Sequence, residues 1–398
     1  MSMRVGIFSD SINIPPKEGI NVHAYRLACA LARQKDTEVL LIVCDRGWLD
    51  LNILREQPFD TLVLPSEQFY DTAYISTLIS DYSLSILQTY MVYFAAVVLG
   101  PASTKTQVPL CVEFHDLERT IVPFYIEDEV KIAYHDKLQY RAGMFASLVR
   151  IMSAHDYNAV QDMWPDIAAH SIWMPVAINK PRLKETVRTK SLLFIGNTSY
   201  PPNERAARFI AETLAPKLSS QHISLVGRGS ERFDAKNITA HGVVDDINPI
   251  LASHTLGLAP ITEGSGMKIK LLDYLSAGLP VVTTTLGAHG YPVSDAITIE
   301  DDFDKWPRII EQMLSNEAEL NRRSRAAEAL FHEHFDLDTT ITKLVEQYAK
   351  LQFSQAEVCH NFEPIEPRQS DIYWLNEVRE TPRPPVSEAF YAHGSASC

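Results

Sequence analysis

From Arg4 onward, short runs of β-branched and other apolar residues alternate with stretches whose apolar positions recur every three to four residues. Such alternation predicts parallel strands covered by helices, an α/β chain. In the first half the pattern predicts strands at Arg4–Ser9, Val39–Asp45, Thr61–Pro65, Leu84–Thr89 and Leu110–His115. Between the first two, Asn21–Arg33 places Val22, Tyr25, Leu27, Ala28 and Leu31 near helical spacing, with Asn21 as the expected cap. The longest apolar run, Val92–Gly100, has about half of the ~18 residues that would suggest a membrane span. It is expected to be a buried segment.

Around Trp173–Lys190 the periodicity breaks into a Pro- and Lys-rich stretch, the composition of a connection between domains. A second α/β series follows, with strands expected at Leu192–Gly196, Ile223–Gly227, Thr255–Ala259 and Val281–Thr284. Helices are expected at Asn203–Leu214 and Met267–Ala277, the latter stopped by Gly278 and Pro280. Helical patterns run from Asp304 to about Gln352. A Pro-rich tail then carries Phe362, Tyr373, Trp374 and Phe390 among charged residues; it cannot form a core of its own, and its aromatic part is expected to dock on the body or to serve a protein partner. The expected domains are 1–180, 181–335, a closing helix at 336–352 and the tail at 353–398.

At 398 residues, two domains are the first expectation. Thirty-six basic against 50 acidic residues leave a net charge of −14, which gives nucleic acid or anionic lipid no general basic surface to hold. The start, MSMRVGIFSD, enters a strand without the pattern of a signal peptide, so a cytoplasmic protein is expected. Five scattered cysteines indicate neither a disulfide framework nor a zinc site, and Cys29, Cys44 and Cys111 read as core residues.

The turn after the first strand holds neither a dinucleotide fingerprint nor a P-loop. Pro260–Gly290, PITEGSGMKIKLLDYLSAGLPVVTTTLGAHG, is more informative. Gly264, Ser265 and Gly266 precede a helix whose first N–H groups and positive dipole end suit an anion, and Lys268 and Lys270 add charge there. Asp273, three residues after Lys270, shares nearly the same face. On the local chemistry alone, a glycine-bounded helix carrying a Lys270–Asp273 surface pair is the favoured reading over a phosphate site. His115 stands at the carboxyl end of a predicted strand, where open α/β sheets present ligands or where a histidine simply serves a turn.

The order EGSGMKIKLLDYLSAGLPVV resembles the donor-site signature of glycosyltransferase family 4, and KEGINVHAYRLACALAR resembles that family's first loop and helix. LLFIGNTSYPPNERAARFI, SLVGRGSERF and ITAHGVVDDI resemble the opening of its donor domain, and together the matches span roughly residues 4–350. The resemblance implies a GT-B architecture, two Rossmann-like domains facing across a cleft. The first would be the acceptor side, the second the nucleotide-sugar donor domain, and the closing helix would return to the first. It implies a retaining transfer from a nucleotide-diphosphate sugar to an acceptor hydroxyl, with no metal or other cofactor.

By the same resemblance Glu263 and His115 would touch the donor sugar and Asp273 the nucleotide ribose. The spacing from Glu263 to Asp273 is two residues longer than the family's common form, and aspartate replaces its glutamate. Ser265, Gly266 and Met267 would meet the diphosphate through their backbone beside Gly264, and Gly19 and Ile20 would bring amides to the cleft. The loop Gly196–Tyr200, with Asn197, lacks the basic residues that many members carry there. Lys268, Lys270 and Arg228 are therefore the expected partners of the leaving diphosphate. The rival reading is a protein of the same fold that binds a sugar nucleotide or a partner without turnover.

Overall fold

The computed structural model describes residues 2–10, 19–45, 57–122, 128–181, 183–184, 188–264 and 267–353. Those up to Val176, joined by those from Thr340, form one compact unit; Ala177–Thr339 form another. The calls on Ser265, Gly266 and the tail after Phe353 lie outside the described residues.

In the first unit the strands β1 (Met3–Ser9), β2 (Thr37–Cys44), β3 (Asp60–Leu64), β4 (Ile86–Thr89), β5 (Leu110–Phe114), β6 (Leu148–Ile151) and β7 (Ser171–Trp173) make one parallel sheet of order 3-2-1-4-5-6-7. The apolar pattern anticipates the first five. It misses β6 because LVRI puts a fully buried arginine in a four-residue run, and β7 because SIW is only three residues long, too short to show a period. Of Val92–Gly100 all but the half-buried Val92 are buried, in line with the expectation, and the run contains a π-helical turn at Ala95–Leu99. Phe94 there stacks on Phe69 at 4.6 Å between ring centres and leans on Phe8 of β1. Among the described residues no helix is long and apolar enough to cross a membrane.

The second unit repeats the scheme with β8 (Ser191–Ile195), β9 (His222–Val226), β10 (Ile238–Gly242), β11 (Leu256–Ala259), β12 (Val281–Thr283) and β13 (Ile297–Ile299) in parallel order 10-9-8-11-12-13. The edge strands β10 and β13 escape the apolar pattern because only some of their positions are buried, although the family resemblance points to the first.

Both orders reverse direction once, between β1 and β4 and between β8 and β11. At such points the connections leave on opposite faces and a crevice opens beyond the strand ends. At the second, the ladder joins β8 to β11 only at Leu192/Leu256 and Leu193/Gly257. Tyr274 then takes over: its hydroxyl accepts from the Ile195 N–H (2.8 Å) and donates to the Leu258 carbonyl (3.1 Å). Its ring needs Gly257, where a Cβ would stand 2.5 Å from a ring carbon. The side chain thereby satisfies two buried backbone groups at the parting strands.

Three local expectations change. Asn21 lies inside the helix Gly19–Ala32 rather than capping it. The helix expected from Met267 spans Ile269–Ser276, and the one expected at Asn203–Leu214 starts at Pro201, whose ring suits a first turn, and ends in a π turn at Ile210–Leu214. Cys29, Cys44 and Cys111 are buried, as expected, and Cys44 and Cys111 are free thiols.

Candidate functional site

The crevice of the second sheet collects most of the expected residues. Asn197 follows β8; its side chain accepts from the Ser199 N–H (2.9 Å), and its carbonyl accepts from the Asn203 amide (3.0 Å). Glu263 and Gly264 follow β11. Gly264 has φ +95°, a left-handed conformation that strains any residue with a Cβ, and its open side faces the Tyr200 hydroxyl. The helix Ile269–Ser276 begins there, and Lys268 in its cap position supplies no side-chain hydrogen bond to the first turn. A helix end of this kind presents N–H donors and positive potential.

Lys270 is half-buried rather than paired on the surface. Its ammonium donates to Asn203 Oδ1 (2.6 Å) and lies 4.6 Å from the centre of the Phe194 ring. Desolvation, helped by the nearby Lys268 charge and opposed by Asp273, pulls its pKa down to about 7. Lys268 donates to the Gly264 carbonyl (3.1 Å), and its own carbonyl accepts from the Tyr291 hydroxyl (2.8 Å). Met267 is half-buried beside Gly290, which a Cβ would bring to 3.0 Å from Met267 Cγ. Asp273 is 3% exposed, so any ribose contact it made would be a desolvated one. Arg228 is exposed, while its carbonyl accepts from Thr198 N–H (2.9 Å) and Oγ1 (3.0 Å), tying the VGRG turn to the Asn197 loop.

Sequence reasoning missed two neighbours. Asn203 bridges the Asn197 loop to Lys270, and Arg205 pairs with Glu263, both groups being about half exposed. Arg205 supplies from the helix Pro201–Phe209 a cation that the loop itself lacks. The signal available was its position one turn into a helix whose start faces the crevice.

In the first unit His115 follows β5. Its Nε2 lies 3.2 Å from Glu113 Oε2, and its ring stacks on Tyr90, 5.5 Å away, whose hydroxyl is 2.7 Å from Ser9 Oγ. His115, Tyr90 and Ser9 thus stand at the carboxyl ends of β5, β4 and β1, around the first switch point. The adjacent Glu118 and Arg119 engage His135 and Asp136 of the helix Glu129–Phe145. Gly19 and Ile20 open the helix that follows β1.

Residues 189–316 match the model of the family described as Glycosyl transferases group 1. No curated protein is significantly similar in sequence. Among solved structures, a glycosyltransferase from Rickettsia africae shares 12% identity at a TM-score of 0.66, over 89% of this chain and 99% of that one. Anabaena Alr3699/HepE in complex with UDP shares 14% at 0.64, over 87% and 100%. Sucrose-phosphate synthase from Thermosynechococcus elongatus shares 13% at 0.60, over 88% and 99%. The matched segment covers most of the second unit, and the fold of two Rossmann-like units, the GT-B architecture, is shared along nearly the whole of these chains.

Proposed function

We propose that the donor is a nucleoside diphosphate hexose bound by the second unit, and that its sugar passes to an acceptor hydroxyl with retention at the anomeric carbon. UDP-glucose is the first candidate, because Alr3699/HepE is solved with UDP and with UDP-glucose. The observation that carries the reading is the uncapped start of Ile269–Ser276 with half-buried Lys270 beside it, at the switch point of the sheet. A diphosphate satisfies both, taking N–H donors from the helix end and restoring the charge that burial disfavours.

In the reaction the bond from the anomeric carbon to the phosphate oxygen breaks and a bond to the acceptor oxygen forms on the same face. The acceptor proton goes to the departing phosphate. The protein's part is to position the reactants and to stabilise the negative charge gathering on the diphosphate, by Lys268, Lys270, Arg228 and Arg205 together with backbone N–H groups. Glu263 holds sugar hydroxyls, Asp273 a ribose hydroxyl, and His115 contacts the sugar as the family resemblance implies. Asn197 shapes the floor beneath the diphosphate through its loop.

Melting in the presence of UDP, UDP-glucose and other nucleoside diphosphate sugars tests this directly. A ligand at 100 times its Kd stabilises the protein by ~2.7 kcal/mol. Absence of a shift with every nucleotide would remove the reading, and binding without sugar transfer or hydrolysis would favour the non-catalytic alternative.

A further inference from the structure

Lys270 is turned toward an amide rather than an acid. Its ammonium donates to Asn203 Oδ1 (2.6 Å) and rests on the Phe194 ring, 4.6 Å from the ring centre. Among the described residues no carboxylate is paired with it: Glu263 is taken by Arg205, and Asp273 acts on Lys270 only through space. Asn203 is 6% exposed and is itself fixed from three sides. Its backbone N–H donates to the Tyr200 carbonyl (3.0 Å) at the start of the helix Pro201–Phe209, and its Nδ2 donates to the Asn197 carbonyl (3.0 Å). Its side chain lies against Gly196, where a Cβ would stand 3.0 Å from both Asn203 Cγ and a Phe194 ring carbon. Gly196 thus leaves room for the amide and the ring that together seat the ammonium.

Lysine only donates and a main-chain carbonyl only accepts, so both neighbours require the same orientation of the Asn203 amide, oxygen toward Lys270 and nitrogen toward Asn197. An amide oxygen carries only a partial charge. It aims the ammonium but leaves most of its positive charge uncompensated, and desolvation without a paired countercharge is what lowers the lysine's pKa. An aspartate of the same shape would aim the ammonium as well and would neutralise it. We propose that Asn203 is a positioning residue that holds Lys270 in place without cancelling its charge, so that the diphosphate of the donor is the first anion to pair with it. This rests on the reading of the second unit as the diphosphate site. It explains why the group that meets the lysine is an amide, gripped from its other end by the loop after β8.

Calorimetry of UDP binding to the full-length protein and to its Asn203→Asp, Asn203→Ala and Lys270→Met variants tests this, together with the melting of each free protein. Stability and affinity are expected to rank the two Asn203 variants in opposite order. Free Asn203→Asp, with its new ion pair, is expected to melt at or above the temperature of Asn203→Ala and yet to bind UDP more weakly. Asn203→Ala is expected to lose at least ~3-fold in affinity and Asn203→Asp at least ~10-fold more, the scale of one negative charge added beside the diphosphate. At pH 8, UDP binding is expected to take up a proton in the wild type and in Asn203→Ala but not in Asn203→Asp, whose lysine is already charged. A purely structural asparagine would make affinity follow stability and would leave proton uptake alone. Asn203→Asp binding as tightly as Asn203→Ala overturns the inference, and so does wild-type affinity in Asn203→Ala, even if Asn203→Asp fails to fold. Lys270→Met separates the two readings: no binding of any nucleotide by the wild type, or wild-type affinity in Lys270→Met, would end both, whereas affinity lost in Lys270→Met but kept in Asn203→Asp would end only the assignment of Asn203.

Discussion

An ammonium laid against a phenyl face and one amide oxygen gives up much of its hydration, and Lys270 is in that position. With its pKa pulled down to about 7, Lys270 has a neutral form within reach at neutral pH when no ligand is bound. A bound diphosphate favours the charged form, so binding is expected to take up a proton. Affinity should then fall as pH rises above 7, approaching tenfold per unit where the bound lysine is charged and the empty one is not. Calorimetry in buffers of different ionisation enthalpy measures that proton, and Lys270→Met should abolish it; binding with no uptake at pH 8 would contradict the assignment. Glu263 presents a different balance, because its carboxylate already meets Arg205. An exposed pair of this kind is worth at most about 1 kcal/mol, so exchange for sugar hydroxyls costs little. Glu263→Ala is expected to lower kcat ~100-fold, the scale of loss when a bound sugar shifts by ~1 Å, while the melting temperature holds. Wild-type turnover in that variant would exclude the sugar contact.

The helix Ile269–Ser276 is anchored at the place where its sheet parts. Tyr274 reaches back from that helix to bridge Ile195 and Leu258, so the start of the helix stays in register with the ends of β8 and β11. Tyr274→Phe keeps the ring but leaves a buried N–H and a buried carbonyl short of a partner, at ~1–3 kcal/mol for each group. A fall in melting temperature of roughly 2–4 °C per kcal/mol is expected for a domain of this size. Nucleotide affinity should fall as well if the proposed site is right, since the same bond holds the start of the helix at the ends of β8 and β11. Gly257→Ala should be at least as damaging, because a methyl there would press on the Tyr274 ring. If Tyr274→Phe melted and bound nucleotide like the wild type, the hydroxyl bridge would have no structural role.

Over the whole molecule a net charge of −14 opposes the approach of a nucleotide, so attraction must be local. In the proposed reading Lys268, Lys270, Arg205 and Arg228 supply it, with Glu263 engaged by Arg205 and Asp273 buried near Lys270. Countercharge therefore comes from side chains and backbone, and nucleotide affinity is expected to be the same with and without a chelator; loss of binding on chelation would refute this. Sequence by itself determined the α/β class, the first five strands of one sheet and four of the other, and the glycine-bounded turn with its lysines. Those features are local, written as short apolar runs, glycine and charge within one or two turns of chain. It also carried the family resemblance, because that signature lies within one continuous stretch. Tertiary structure alone decided what Lys270 touches, which cation meets Glu263 and what stands behind His115. Asn203 and Arg205 come from another segment, and Arg150 reaches Glu113 from β6, the next strand of the first sheet. Each is a polar residue whose role exists only once strand order sets it beside its partner. Periodicity records which face of an element is buried, whereas the pairing of buried polar groups depends on which elements become neighbours.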